Sequence, residues 1–216
     1  MKRIFIFSII ALCCVTAGCE SLQNMAMEKM LGYEKRELLT RAVESVLKEQ
    51  KKTQVEFKDA LTQFKELYAF DGGDLEHNYD QFKNSYEDAR LQAEALRKRI
   101  ANMENIARSM FGEWAKEIKQ YKNNDLAQKS REQLKTTKAK YHQLSKSVKA
   151  SEASMRPVLA QLNDNVLYLK HNLNAAAIGS LKEEAGTIQY QIEELIKRMN
   201  VTISEADAFI KSMPSQ

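Results

Sequence analysis

Apolar residues recur alternately every four and three positions along almost the whole chain. In one segment this spacing begins at Leu75 and continues through Tyr79, Phe82 and Tyr86. It places the apolar side chains in one stripe along an α-helix, which can then pack against other helices. Glycine and proline, the residues that interrupt helices, number only seven and two among 216 residues. The sequence therefore predicts an all-α fold, an elongated antiparallel four-helix bundle of the coiled-coil type.

Clusters of turn-forming residues divide the pattern into four helices. The clusters lie at 71–74 (Asp-Gly-Gly-Asp), 123–125 (Asn-Asn-Asp) and 179–180 (Gly-Ser). Asp125 and Ser180 each stand three positions before a glutamine or glutamate, a spacing typical of a helix N-cap. The predicted helices cover about 33–70, 75–121, 126–177 and 181–211.

The first 19 residues have the order of a bacterial lipoprotein signal. Two basic residues are followed by an apolar stretch at 4–15, which is too short to span a bilayer, and then by small residues up to Gly18. Because Cys19 comes next, the pattern predicts cleavage after Gly18 and attachment of fatty acyl chains such as palmitate to Cys19. The alternative is an ordinary secretory signal with an incidental cysteine. The predicted parts are a signal peptide at 1–18, a lipidated tether at 19–32 and a bundle domain at 33–216.

The residue after the cysteine and the charge balance bear on location and partners. Glu20 is a weaker version of the aspartate that retains lipoproteins in the inner membrane. We therefore expect anchoring on the periplasmic side of the envelope, with the outer membrane favoured over the inner. Of 33 basic and 29 acidic residues, two basic ones lie in the signal, which leaves a nearly neutral chain. This balance indicates no nucleic-acid partner.

Residue types that carry chemistry are few and scattered. The three histidines, His77, His142 and His171, lack the spacing of a helical metal site. The sequence contains no glycine-rich phosphate loop and no nucleophile elbow. We therefore expect no enzyme activity and no bound metal, nucleotide or other cofactor.

Basic residues concentrate on the predicted third helix and the turn before it. Residues 122–150 contain eight basic and two acidic side chains. Because helices joined by short turns are antiparallel, this region and Cys19 are expected at the same end of the bundle. A basic surface there would be attracted to anionic headgroups; the alternative is an ordinary solvated face. The predicted membrane-proximal patch consists of Lys122, Lys129, Arg131, Lys135 and Lys138.

The opposite end carries an unusual run of asparagines and small residues. Asn172 and Asn174 are poor choices inside a helix, because their amides compete for backbone hydrogen bonds. Two hypotheses stay open: the tip is a docking site for an envelope protein, or the asparagines simply satisfy a turn. The candidate distal site comprises Lys170, His171, Asn172 and Asn174.

Several short blocks resemble a family of uncharacterised proteobacterial proteins, mostly lipoproteins. The blocks are 32–37 (GYEKRE), 71–75 (DGGDL), 113–114 (EW), 155–159 (MRPVL) and 169–181, of which the last is the most specific. Together they span nearly all of the chain after about residue 30. Members are sometimes labelled DNA-repair ATPases, a label that the export signal and the missing phosphate loop contradict here. The resemblance implies no known activity and no catalytic residues.

Two functions fit these features. The first is a lipid-anchored, non-enzymatic scaffold, spacer or adaptor of the cell envelope, attached to a partner protein or to further copies of itself. The alternative is a periplasmic carrier or sensor whose bundle opens to bind an apolar or polyanionic envelope molecule. The stripe of the first helix has one polar layer, at Gln50 and Thr53. A scaffold should be tightly packed at this layer, whereas a carrier should have a cavity near it.

Overall fold

Four long α-helices make up nearly all of the part of the chain that the computed structural model describes, which is residues 19–213. Side chains are described for residues 35–213 except Glu183, and the predicted signal peptide, including Gly18, lies outside the described residues. Residues 19–213 contain no β-strand, so the predicted all-α fold class is confirmed. The elements are α1 (Cys19–Tyr68), α2 (Leu75–Glu117), a 3₁₀ turn (Ile118–Gln120), α3 (Asn124–His171) and α4 (Ala175–Ser212).

Neighbouring helices contact each other in opposite directions. Helix α1 packs against α2 and α4, and α3 packs against the same two helices. Lys35 is the first residue of α1 whose side chain is described, and it contacts Glu113 near the end of α2. Phe64 near the end of α1 stacks on Phe82 near the start of α2, with ring centroids 5.3 Å apart. This order agrees with the antiparallel bundle expected from the sequence. The same inversion appears in the pairs Tyr79–Val166, Trp114–Ser130, Ser147–Thr202 and Tyr141–Phe209.

The apolar stripe forms the core, as the heptad spacing predicts. In α2 the stripe is buried from Tyr79 through Trp114, and only its first member, Leu75, is partly exposed. In α4 every stripe position from Ile178 to Phe209 is buried. These buried side chains form one continuous apolar cluster, whose burial is the main source of helix stability in a bundle.

The polar layer within α1 is closed by hydrogen bonds. Gln50 is 1% exposed and Thr53 is fully buried. The Gln50 amide donates to the Ser151 hydroxyl of α3 over 3.1 Å. The Thr53 hydroxyl donates to the backbone carbonyl of Glu49 over 2.8 Å. The polar groups of this layer therefore have partners inside the protein, which removes most of the free-energy cost of burying them.

The first interhelical turn follows the prediction. Asp74 is the N-cap of α2, and its carboxylate accepts a hydrogen bond from the His77 backbone amide over 3.0 Å. Gly72 and Gly73 have φ angles of +150° and +110°, which only glycine adopts readily. The run at 71–74 therefore ends one helix and begins the next.

The predicted N-caps of the last two helices are wrong. The N-cap of α3 is Asn123 rather than Asp125. The Asn123 side chain accepts hydrogen bonds from the backbone amides of residues 125 and 126. Asn174, rather than Ser180, caps α4. Helix α3 therefore ends at His171 instead of about 177, and residues 179–180 lie inside α4. Three consecutive alanines follow Asn174, and alanine favours helix so strongly that one later glycine, costing about 1 kcal/mol, does not end it.

Helix α1 begins earlier than predicted. It starts at Cys19, so the segment 19–32 that was expected to be a tether has a helical backbone. The bundle domain predicted to start at 33 therefore continues the same helix without a break. At 1.5 Å per residue, a helix of 50 residues is about 75 Å long.

Candidate functional site

The helix directions bring the predicted basic patch and the start of α1 to one end of the bundle. The 3₁₀ turn and Asn123, which join α2 to α3, lie at this proximal end. The turns at 69–74 and 172–174 lie at the other, distal end. A hydrogen bond of 3.3 Å from the Tyr79 hydroxyl to the Val166 carbonyl connects the helices near these distal turns.

Two contacts hold the proximal part of α1 against α2, and a third joins α2 to α3 at the same place. The Arg36 guanidinium lies over the Trp114 ring, 5.3 Å from its centroid, where the ring face attracts a cation. The Trp114 indole in turn donates to the Ser130 hydroxyl over 2.9 Å. Next to it Lys35 forms an ion pair with Glu113. The start of α1, and with it Cys19, is thereby oriented toward the same end as the basic patch.

All five residues of the basic patch are exposed on α3 and the turn before it. Arg131 donates to the Gln128 amide oxygen over 3.2 Å. Among residues with described side chains, no carboxylate lies within salt-bridge distance of any of the five. Their charges are therefore available to an external anionic surface. All five predicted residues lie on the turn before α3 or within the first 15 residues of that helix: Lys122, Lys129, Arg131, Lys135 and Lys138.

Two apolar side chains beside the patch were missed by the sequence analysis. Tyr121 is 46% exposed and Leu126 is 50% exposed. Tyr121 directly precedes Lys122 in the turn, and Leu126 lies in the first turn of α3. Both residues lie outside the heptad stripe, where an apolar side chain has no partner in the bundle. This position could have predicted that they are exposed.

The distal asparagines are used by the turn itself. The Asn174 side chain accepts hydrogen bonds from the amides of Ala176 and Ala177 over 3.1 and 3.0 Å. The Asn172 amide donates to the Tyr168 carbonyl over 3.0 Å. The geometry therefore supports the turn interpretation for these two residues. Lys170 and His171, which are also exposed, complete the predicted distal site.

The three histidines are exposed and lie on different parts of the molecule. His77 is in the first turns of α2, His142 is in the middle of α3, and His171 ends α3. Among the residues with described side chains, no group of three or more histidine, cysteine or acidic residues is arranged to bind a metal ion. Within residues 19–213, no helix has an apolar stretch long enough to cross a membrane.

Comparison with known proteins gives one match. No curated protein and no solved structure shows significant similarity to the chain. Residues 24–213 match the model of a family described as "Protein of unknown function (DUF2959)". This range covers all four helices almost completely and agrees with the resemblance to an uncharacterised family. The chain belongs to the DUF2959 family of proteins of unknown function.

Proposed function

We propose that this protein is a lipid-anchored helical scaffold, spacer or adaptor of the bacterial cell envelope with no enzymatic activity of its own. Acyl chains on Cys19 would hold it on the periplasmic side of a membrane, with the outer membrane favoured. The observation that carries the proposal is the exposed basic patch at the proximal end, whose charges lack carboxylate partners among the described side chains.

Distances along the helices support contact between this patch and the membrane. Lys35 lies beside Glu113, so the 3₁₀ turn at Ile118–Gln120 is about 10 Å nearer to the membrane than Lys35. Cys19 lies about 24 Å from Lys35 along α1, which leaves the turn about 10 to 15 Å from the lipidated residue. This separation is between one and two Debye lengths at physiological ionic strength, where the Debye length is about 8 Å, so the surface potential is partly screened at the turn. Lys122, which lies at the turn, would therefore feel the potential more strongly than the patch residues farther along α3.

The side chains at the hairpin tip suit a membrane surface. An exposed lysine or arginine close to anionic lipid gains about 1 kcal/mol. Tyr121 and Leu126 add apolar surface at the same place, and amphipathic side chains of this kind favour the boundary between headgroups and acyl chains. The tip therefore combines charge attraction with a shallow apolar contact.

The interior supports a scaffold more than a carrier that opens. The carrier hypothesis places a cavity near the polar layer of α1, but Gln50 and Thr53 are buried and hydrogen-bonded there. Opening the bundle would expose the apolar cluster and break the bond between Gln50 and Ser151. A closed interior leaves the outer surface and the two ends as places for interaction.

Vesicle flotation tests the contact with the membrane. We use the mature chain with Cys19→Ser, which carries no acyl chains, and vesicles of phosphatidylglycerol or phosphatidylcholine. The triple variant Lys122→Glu, Lys129→Glu, Lys135→Glu should bind the anionic vesicles at least tenfold more weakly than the parent, because three attractions are replaced by repulsions. Binding of the parent should also fall as salt is raised.

A matched control changes the same charge elsewhere. Lys58, Lys83 and Lys170 are exposed in the distal half and form no salt bridge with a described carboxylate. Their triple replacement by glutamate should leave vesicle binding nearly unchanged. Equal binding of the parent to both kinds of vesicle, or an equal loss in the control variant, would contradict the proposal.

A further inference from the structure

We propose that a groove between α2 and α3 is a binding site for one anionic amphiphile, a molecule with a negatively charged head and an apolar chain. The groove lies on the outer surface of the bundle, in its proximal half, and has a volume of about 490 Å³. This volume falls within the range of about 300 to 1,000 Å³ that is usual for small-molecule sites. The proposal goes beyond the scaffold function, because it does not depend on lipidation or on opening of the bundle.

The walls of the groove carry an excess of positive charge. Its one carboxylate, Glu104, forms an ion pair with Lys149 and accepts a hydrogen bond of 3.2 Å from Ser145. Arg108 of α2 and Lys138 of α3 also line the groove, are exposed, and pair with no carboxylate among the described side chains. Two cations on opposite walls are therefore left for the head of a ligand, and an arginine can hold a phosphate or carboxylate through two parallel hydrogen bonds.

The floor of the groove is aromatic. The rings of Phe111 and Tyr141 meet edge to face, with centroids 5.5 Å apart and an interplanar angle of 62°. Both side chains are more than nine-tenths buried, and both line the groove. This pair offers the apolar contact that a hydrocarbon chain requires, which distinguishes the site from one for a free inorganic anion.

A buried polar group lies at this floor without a partner. The Tyr141 hydroxyl forms no hydrogen bond of normal geometry with a described residue, although the Ser145 hydroxyl lies close enough to lower its pKa. Burial, followed by the Glu104 carboxylate, raises the pKa of Tyr141 to about 12, against the opposing effects of Ser145 and Arg108. The hydroxyl thus keeps the proton that it could donate to an anion. Buried polar groups in native proteins nearly always have a hydrogen-bond partner. The anionic head of a ligand would supply an acceptor for the Tyr141 hydroxyl.

Gly112 is the one position on the α2 wall of the groove that has no side chain. It lies inside α2, where glycine is about 1 kcal/mol less favourable than alanine. A Cβ atom at this position would meet no atom within 4 Å, so neither backbone conformation nor packing within the described chain requires glycine. A side chain there would instead occupy the space above the floor. This property gives a variant that fills the site without disturbing the core.

The test uses decyl phosphate below its micelle concentration as the probe. Decyl maltoside has the same chain with a neutral head, and inorganic phosphate has the head without the chain. Isothermal titration calorimetry on the mature chain should show one bound decyl phosphate per protein, with affinities at least tenfold lower for both comparison compounds. Equal binding of decyl maltoside or of inorganic phosphate would overturn the assignment.

Variants locate the binding. Gly112→Leu should weaken decyl phosphate binding at least tenfold, and so should the double variant Arg108→Gln, Lys138→Gln. Gly186→Leu is the matched control, because Gly186 is an exposed helical glycine of α4 that is likewise free of contacts within 4 Å. Circular dichroism should show that all three proteins are folded. Binding that survives Gly112→Leu, or that falls equally in Gly186→Leu, would show that the probe binds elsewhere.

Discussion

At the scale of single residues, two buried tyrosines differ in what their hydroxyls contact. Tyr79 is 8% exposed and Tyr141 is 6% exposed, and both occupy stripe positions of the core. The Tyr79 hydroxyl donates to the Val166 carbonyl over 3.3 Å, whereas the Tyr141 hydroxyl has no partner among the described residues. We therefore expect the two hydroxyls, at similar burial, to contribute differently to the free energy of unfolding.

Replacing each tyrosine by phenylalanine should separate these contributions. We expect Tyr141→Phe to raise the free energy of unfolding by about 1 kcal/mol, because it removes a buried hydroxyl without a partner. Tyr79→Phe should lower it by about 0.5 to 1.5 kcal/mol, because the Val166 carbonyl loses a donor. Urea unfolding followed by circular dichroism measures both changes. A loss of stability in Tyr141→Phe equal to that in Tyr79→Phe would show that its hydroxyl is satisfied.

The heptad spacing predicts that both tyrosines are buried, but not what their hydroxyls contact. Tyr79 and Val166 are 87 residues apart in the sequence, on different helices. Their contact depends on the relative height of α2 and α3, which no local pattern determines. For the same reason the sequence could not reveal that Arg108 and Lys138 face one groove.

At the scale of elements, the agreement between predicted and observed helix boundaries depended on which residues ended each helix. The run at 71–74 was predicted correctly, because two glycines with positive φ cannot easily belong to a helix. The pair at 179–180 was misread as a turn. A single glycine in a helix costs only about 1 kcal/mol, and the cap at Asn174 together with the alanines after it outweighs that cost.

Two alanine substitutions check where α4 begins. Asn174→Ala should destabilise the protein by about 1 kcal/mol, because the amides of Ala176 and Ala177 lose their acceptor. Ser180→Ala should change the stability by no more than about 0.5 kcal/mol, since its hydroxyl only donates back to the Ala177 carbonyl within the helix. Thermal and urea unfolding give both values. The opposite order would move the start of the helix to the predicted position.

At the scale of the whole molecule, the bundle has two chemically different ends about 75 Å apart along α1. The sequence was sufficient to place the basic residues at the end where α1 begins, because short turns force neighbouring helices to alternate in direction. It was not sufficient to show that α1 is helical from Cys19 onward. That segment carries the large apolar residues Leu22, Met25, Met27, Met30 and Leu31, which form no complete heptad run, so the spacing did not predict a helix there.

Photocrosslinking in cells tests whether the distal end meets a partner. We place the crosslinking amino acid at His171, because Asn172 and Asn174 hold the turn and should not be replaced. An adaptor should give a defined adduct with an envelope protein from this position. The adduct should disappear with Cys19→Ala, which leaves the protein without its anchor and therefore at no fixed distance from the membrane.

Tyr190 provides the control position for this experiment. It is 64% exposed in the middle of α4, away from both ends. Crosslinking from Tyr190 should yield little adduct in the same cells. An equal adduct from both positions, or none from His171, would count against the adaptor role.

The hydrogen bond between Gln50 and Ser151 connects helices that lie diagonally across the bundle. Sliding α3 along α1 by seven residues, about 10 Å, would keep every apolar stripe facing inward. It would, however, bring Leu144 or Val158 opposite Gln50 in place of Ser151, because both are buried stripe positions of α3. The Gln50 amide would then be buried without a partner, at a cost of about 1 to 3 kcal/mol. The polar layer thus acts together with the short turns and with the Tyr79–Val166 and Trp114–Ser130 hydrogen bonds to fix one register, and with it a single length of the molecule.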